Sequence, residues 1–179
     1  MGARKRPRLF SFGREIELAN LDSWVDDPEH RALLVQVVDA FIGVTRTRKL
    51  SPEALEPILE AAAHPAESVR ALGITRLVVL AHYFDTACTA LAGLLAHVDP
   101  AVRRFAVSSL ANAPEQAVVD GLTTASSDAD WQIRKAAAQV GMAMRSEPVS
   151  AVLDAWSARE RDARVKVVLD LAREFQAQR

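Results

Sequence analysis

Apolar and small side chains recur at helical spacing along the chain, in stripes that open the same way. The stripes are Val69, Gly73, Leu77 and Leu80; Val102, Ala106 and Leu110; Ile133, Ala137 and Val140; and Val165, Leu169 and Ala172. An i, i+4 pattern of this kind predicts helices that bury one side and leave the other wet. Each stripe starts on a β-branched aliphatic followed by a basic residue: Val69-Arg70, Val102-Arg103, Ile133-Arg134 and Val165-Lys166, set 33, 31 and 32 residues apart. A period of that length is the signature of stacked two-helix repeats, in which each pair buries its apolar side only against its neighbours.

A first helix and a short polar turn precede each signature. Ser51-Pro52-Glu53 supplies a capping hydroxyl, a proline at the first helical position and an early acid; Pro114-Glu115 and Glu147-Pro148 open two more first helices. The turns are His64-Pro65-Ala66-Glu67, His97-Val98-Asp99-Pro100, Ser127-Asp128-Ala129-Asp130 and Arg161-Asp162-Ala163. The fifth position of each second helix is Gly73, Ala106, Ala137 or Leu169, and its small residues predict close approach between helices. The N-terminal part fits a degenerate first repeat, with a helix over Arg14–Val25, a turn at Asp26–Glu29 and a second helix over Arg31–Gly43. His30 holds the aliphatic position there, 39 residues before Val69, and the surplus falls in Thr45-Arg46-Thr47-Arg48-Lys49, read as a basic loop. The expected organisation is a basic arm over 1–13, then one all-α solenoid over 14–179 with repeats near 14–45, 51–83, 84–112, 114–145 and 148–176.

The segment Asp99-Pro100-Ala101-Val102-Arg103-Arg104-Phe105-Ala106-Val107-Ser108-Ser109-Leu110 resembles the HEAT-repeat family, in its short HEAT-like variant found in phycobilisome-lyase-type proteins. Val69-Arg70 and Ile133-Arg134 follow the same pattern with weaker turns, and the last repeat departs from it with Lys166 for arginine and Leu169 for alanine. The resemblance covers about residues 14–175. It implies a right-handed α-solenoid whose second helices line a concave side. Scaffolds, transport factors, lyase subunits and DNA-repair enzymes share this architecture, so it implies no single activity.

An acid stands four residues before the basic position in Asp27/Arg31, Asp99/Arg103, Asp130/Arg134 and Asp162/Lys166; the second repeat has Ala66 there and offers Glu67. Such an acid is expected to cap the helix N-terminus and face the basic side chain one turn on, giving a structural ladder.

Half of the residues are hydrophobic but only 6% are aromatic, a mixture suited to close-packed helices. The net charge of −1 does not suit generic nucleic-acid binding, and residues 51–100 carry six acids against two cations. Cys88 is the only cysteine, so no intramolecular disulfide can form; in its apolar setting it is expected to be an inert core thiol. No apolar run approaches the roughly 18 residues that span a bilayer, and the basic leader lacks the apolar core of a secretory signal. A cytoplasmic location is the expectation.

Candidate chemistry is sparse. His64 and His97 stand five residues before their aliphatic anchors, without a third ligand at metal spacing, and read as turn histidines. His82, beside Tyr83-Phe84-Asp85, is expected at a junction between repeats. The seven glycines form no phosphate loop, there is no nucleophile elbow, and no base accompanies Cys88. Trp131 and Trp156 are expected to anchor repeats rather than to stack bases. Neither a catalytic constellation nor a cofactor or metal site is predicted.

Two surfaces stand out. The leader carries Arg4, Lys5, Arg6, Arg8 and Arg14 with Leu9, Phe10 and Phe12 interleaved and no acid. It reads either as an arm for an acidic protein, anionic lipid or nucleic acid, or as a leader whose phenylalanines fold back as a cap. The second helices offer Thr75, Arg76, Arg104, Ser108, Lys135, Gln139, Met142, Asp170 and Glu174 as exposed positions on the expected concave side. That mix suits a protein or peptide. The expected function is a non-catalytic adaptor for a protein partner. The alternatives are a nucleic-acid module using the arm and the 46–49 loop and, on the resemblance alone, a lyase-type subunit.

Overall fold

A computed structural model describes residues 9–177. Among the described residues the chain is all-helical, with ten α-helices, one 3-10 turn and no strand. Two compact units divide it, Met1–Ala90 and Leu91–Arg179. The first contains α1 (Arg14–Asp22), α2 (Pro28–Thr47), α3 (Pro52–Ala62) and α4 (Glu67–Ala81), and α5 (Asp85–Leu95) crosses the boundary. The second contains α6 (Pro100–Ser109), the 3-10 turn Leu110–Asn112, α7 (Glu115–Ala125), α8 (Trp131–Ala143), α9 (Glu147–Ser157) and α10 (Ala163–Ala177).

These are the paired helices of an α-solenoid, and their starts follow from sequence. Asp27 accepts the N–H groups of Glu29 and His30, Ser51 that of Ala54, Asp99 that of Ala101 and Asp130 that of Gln132. Proline stands in the first turn of α2, α3 and α6, where its missing N–H removes nothing from the helix. The second helices from α4 onward each bury one apolar stripe. Val69, Val102, Ile133 and Val165 are all fully buried, as are Leu77, Leu80, Ala106, Leu110, Ala137, Leu169 and Ala172. Each large aliphatic among them contributes about 1.5–3 kcal/mol by leaving water. In unit 2 the second helices form one layer, α6 against α8 and α8 against α10, with the first helices α7 and α9 packed behind.

Gly73 sets the approach of α3 to α4. A Cβ built on it would lie 2.4 Å from the Ala62 nitrogen and 2.7 Å from the Ala61 carbonyl carbon, so only a hydrogen fits. Trp156 is fully buried in α9, with Nε1 donating to Glu160 Oε2 at 3.0 Å, and serves the core as expected.

Three expectations need correction. The helix over Arg14–Val25 stops at Asp22, because the Ser23, Trp24 and Val25 N–H groups turn back onto the carbonyls of Asn20 and Leu21. The second helix of the first repeat runs from Pro28 to Thr47, not from Arg31 to Gly43. Most of the supposed basic loop at 45–49 is therefore helix. Thr45 and Thr47 donate their hydroxyls back to the Ile42 and Gly43 carbonyls, and α2 ends only at Arg48, which is left-handed with φ 58°. The Arg48 guanidinium donates to the Leu9 carbonyl at 2.9 Å. Leu9 is buried while Phe10 and Phe12 stay exposed. The arm cations Arg4, Lys5, Arg6 and Arg8 lie outside the described residues. No helix among the described residues is long and apolar enough to cross a membrane.

Candidate protein-binding face

The turns between paired helices share one construction, and it fixes the side chains that follow. Six residues before the basic position stand His64, His97, Asp128 and Glu160. Each takes the backbone N–H two residues on. His64 Nδ1 accepts from Ala66 at 3.1 Å, His97 Nδ1 from Asp99 at 3.1 Å, Asp128 from Asp130 at 2.8 Å and Glu160 from Asp162 at 2.9 Å. The arginine of the following helix closes the turn from the other side. Nη1 of Arg70 donates to the His64 and Pro65 carbonyls, that of Arg103 to His97 and Val98, and that of Arg134 to Asp128 and Ala129. His64 and His97 are thus turn histidines, and no group of acids, histidines and cysteine among the described residues could hold a metal ion.

The ladder exists, but its rungs are not the expected ones. Arg103 grips Asp128 with two bonds of 2.7 and 3.2 Å, and Arg134 grips Glu160 with two of 3.0 and 3.3 Å. Each arginine therefore reaches the turn of the next repeat, while Asp99 and Asp130 remain caps of their own helices. Arg31 pairs with Asp22 rather than Asp27, and Lys166 with Asp170 rather than Asp162. Side-chain length decides this: a guanidinium committed to its own turn through Nη1 still presents Nε and Nη2 as a fork toward a neighbouring carboxylate. Burial alone would raise the Asp128 and Glu160 carboxyls; the forked arginines and the N–H groups they accept outweigh it and hold both below their ordinary values. Asp162, gripped by Arg164 and by that residue's backbone N–H, is lowered to about 2.

With the turns fixed, each second helix of unit 2 turns one stripe outward. On α6 the stripe is Arg104, Ser108 and, in the 3-10 turn, Asn112; on α8 it is Lys135, Gln139 and Ala143; on α10 it is Val167, Leu171 and Phe175. All are exposed except Lys135, which is half-buried. The face changes from cationic and polar on α6 to apolar on α10, where Val167, Leu171 and Phe175 remain 61%, 52% and 44% exposed. Arg164 lies 3.7 Å over the Trp131 ring and Lys135 5.9 Å from it, while Arg145 covers Phe175 at 4.4 Å. Arg104 donates to Gln132 on the neighbouring helix at 3.2 Å. Half-buried Met142 sits near the end of α8.

Five of the second-helix candidates read from sequence as partner-binding thus lie on α6 and α8: Arg104, Ser108, Lys135, Gln139 and Met142. The α10 stripe was missed, as were Trp131 and Arg145. Their signal was the four-residue spacing of Val167, Leu171 and Phe175, set two residues behind the buried stripe. Asp170 and Glu174 instead edge a cavity of about 700 Å³ with Ser150, Asp154 and Arg173.

In unit 1, Thr75 is exposed and holds the place equivalent to Ser108 and Gln139. Arg76 is tied inward. It pairs with buried Glu17 at 2.6 Å, lies 4.5 Å over the Phe41 ring and lines a cavity of about 290 Å³ with Phe10, Phe12 and Trp24. Cys88 is half-buried and donates to the Ala81 carbonyl.

Helix pairs stacked in register through a repeated turn define a helical-repeat protein. The sequence model of the family described as HEAT repeats matches residues 88–169, which takes in α6 to α9 and the first half of α10. Over that stretch the chain is similar to HEAT repeats. No curated protein matches it significantly.

Proposed function

We propose that this chain is a non-catalytic adaptor that holds a protein partner against its second helices, with α6, α8 and α10 as the principal surface. One observation carries the reading: the in-register row at Arg104/Lys135/Val167 and Ser108/Gln139/Leu171, all exposed but half-buried Lys135, with a single hydrogen bond, Arg104 to Gln132, joining it to a neighbouring repeat. Repeat proteins gain binding area in this way, by presenting equivalent positions of successive helices side by side. A contiguous apolar strip rimmed by charge is the usual look of an interaction surface.

The test is a photo-crosslinking side chain at Gln139, compared with one at Thr123 on the exposed side of the first-helix layer, in extract from the native cell. The expected result is one stoichiometric protein adduct from position 139 and none from 123. Equal capture at both positions, or nuclease-sensitive capture from 139, counts against the proposal.

A further inference from the structure

We infer that the occupant of this face is an acid-flanked amphipathic helix, laid along α10 with its apolar side on Val167, Leu171 and Phe175 and its acids turned toward α8. The inference rests on the protein-binding reading above and adds the chemistry of the partner. Three observations carry it.

The first is geometry. Val167, Leu171 and Phe175 are one turn apart on a single helix, so they form a straight strip about 12 Å long at 1.5 Å per residue. A partner helix with apolar residues at i, i+4 and i+7 matches that strip. It would lie on the outward face of the layer, over α10 and the adjoining edge of α8.

The second is charge. The edge of the strip toward α8 carries Lys135 and Arg145, with Arg104 one helix further on, and each is held by an aromatic ring or an amide rather than a carboxylate. Among the described residues these three cations stand in no salt bridge, whereas Arg103, Arg134, Arg164 and Arg173 do. Glu174, on the opposite flank of the strip, discourages acids on that side. The complementary ligand is therefore apolar on one face and acidic on one flank.

The third excludes the nearest alternative occupant. The chain's own leader carries Arg4, Lys5, Arg6 and Arg8 and no acid, so it would meet Lys135 and Arg145 with like charge.

The experiment uses the full chain and a fluorescein-labelled synthetic helix with leucines at i, i+4 and i+7 and glutamates along one flank. Comparison probes are the same helix with lysine for each glutamate, a scrambled isomer and a single-stranded oligonucleotide. Anisotropy should show saturable binding of the glutamate helix, weakened about tenfold or more by Lys135→Glu and by Leu171→Asp. Both substitutions fall at outward positions, and unchanged melting curves verify that the variants fold. The decisive result is a charge swap: Lys135→Glu should gain affinity for the lysine-flanked helix. Equal binding of the scrambled isomer, no charge swap, or tighter binding of the oligonucleotide through the same residues overturns the inference. So does self-association of the free chain that Leu171→Asp abolishes, since the face would then belong to a second copy. Crosslinking from Gln139 reports a protein partner of any chemistry. A protein adduct there with a failed peptide therefore removes this inference alone, and loss of both removes the adaptor reading as well.

Discussion

Arg103 and Asp128 stand 25 residues apart in sequence and meet through two bonds of 2.7 and 3.2 Å, while a third nitrogen of the same guanidinium holds the His97 and Val98 carbonyls. One side chain thereby closes its own turn and clamps the next. The carboxylate is only 8% exposed and the guanidinium 17%. Arg103→Ala should strand that carboxylate and cost about 2 kcal/mol, at the lower end for such pairs because Arg103 still touches water. The double substitution with Asp128→Asn should cost less than the two single changes summed. A double-mutant cycle from urea unfolding measures the coupling, and strict additivity would show that the clamp contributes nothing.

The same rungs predict how the fold responds to acid. Asp128 and Glu160 are held below their ordinary values, and Asp162 is lowered to about 2. A carboxylate depressed in the folded state stabilises it while ionised. Its contribution is complete above the unfolded value near 4 and disappears as pH falls toward the folded one. The urea midpoint should therefore be flat from neutrality to about pH 5 and drop steeply below, toward pH 2. Asp128→Asn removes one of these groups and should flatten the drop. A parallel fall in the variant would mean that other groups control acid unfolding.

Gly73 and Gly43 separate helix propensity from packing. Both lie inside helices. A Cβ on Gly73 would strike the backbone of Ala61 and Ala62, whereas one on Gly43 meets nothing within 4 Å. Alanine at a helix interior is favoured over glycine by about 1 kcal/mol. Gly43→Ala should therefore stabilise by up to about that amount. Gly73→Ala must force α3 from α4 and should lose about 2 kcal/mol or more despite the same propensity gain. Thermal melts of the two variants should move in opposite directions.

The helix pairs were legible in sequence because their signals are local. An aliphatic-basic pair, a capping acid and an i, i+4 stripe each lie within one or two turns, and Val69, Val102, Ile133 and Val165 are all buried as that register requires. The rungs were not legible, because Arg103 and Arg134 find partners 25 and 26 residues away and only stacking brings these near. The nearer acids, Asp99 and Asp130, are occupied by backbone N–H groups. The end of α2 was misplaced because Thr45-Arg46-Thr47 looks polar but holds neither glycine nor proline, and polarity alone does not stop a helix. On α10 two apolar stripes compete, Val165/Leu169/Ala172 and Val167/Leu171/Phe175. The repeat register identifies the first as core, and the exposure of the second emerges only once the helices are stacked.

Ala66 supplies the sharpest test of the repeat construction. It is the N-cap of α4, with φ −70° and ψ 124° and no side-chain cap. Asp99 and Asp130 hold the same place with φ −77°, ψ 118° and φ −80°, ψ 114°, and each accepts the N–H two residues on. The backbone at 66 is thus already in the capping conformation, and only the acceptor is missing. Ala66→Asp should accept the Ser68 N–H, place a negative charge at the positive end of α4 and stand one turn before Arg70. The side chain at 66 is half-buried at the mouth of the turn, so the new carboxylate keeps its access to water. A gain of about 0.5–1 kcal/mol is expected at neutral pH, fading as pH falls below about 4 when the carboxyl protonates. Urea unfolding of the variant at pH 7 and pH 3 reads both effects. A loss of stability at pH 7, or a gain that persists at pH 3, would mean that position 66 is not the equivalent of Asp99 and Asp130.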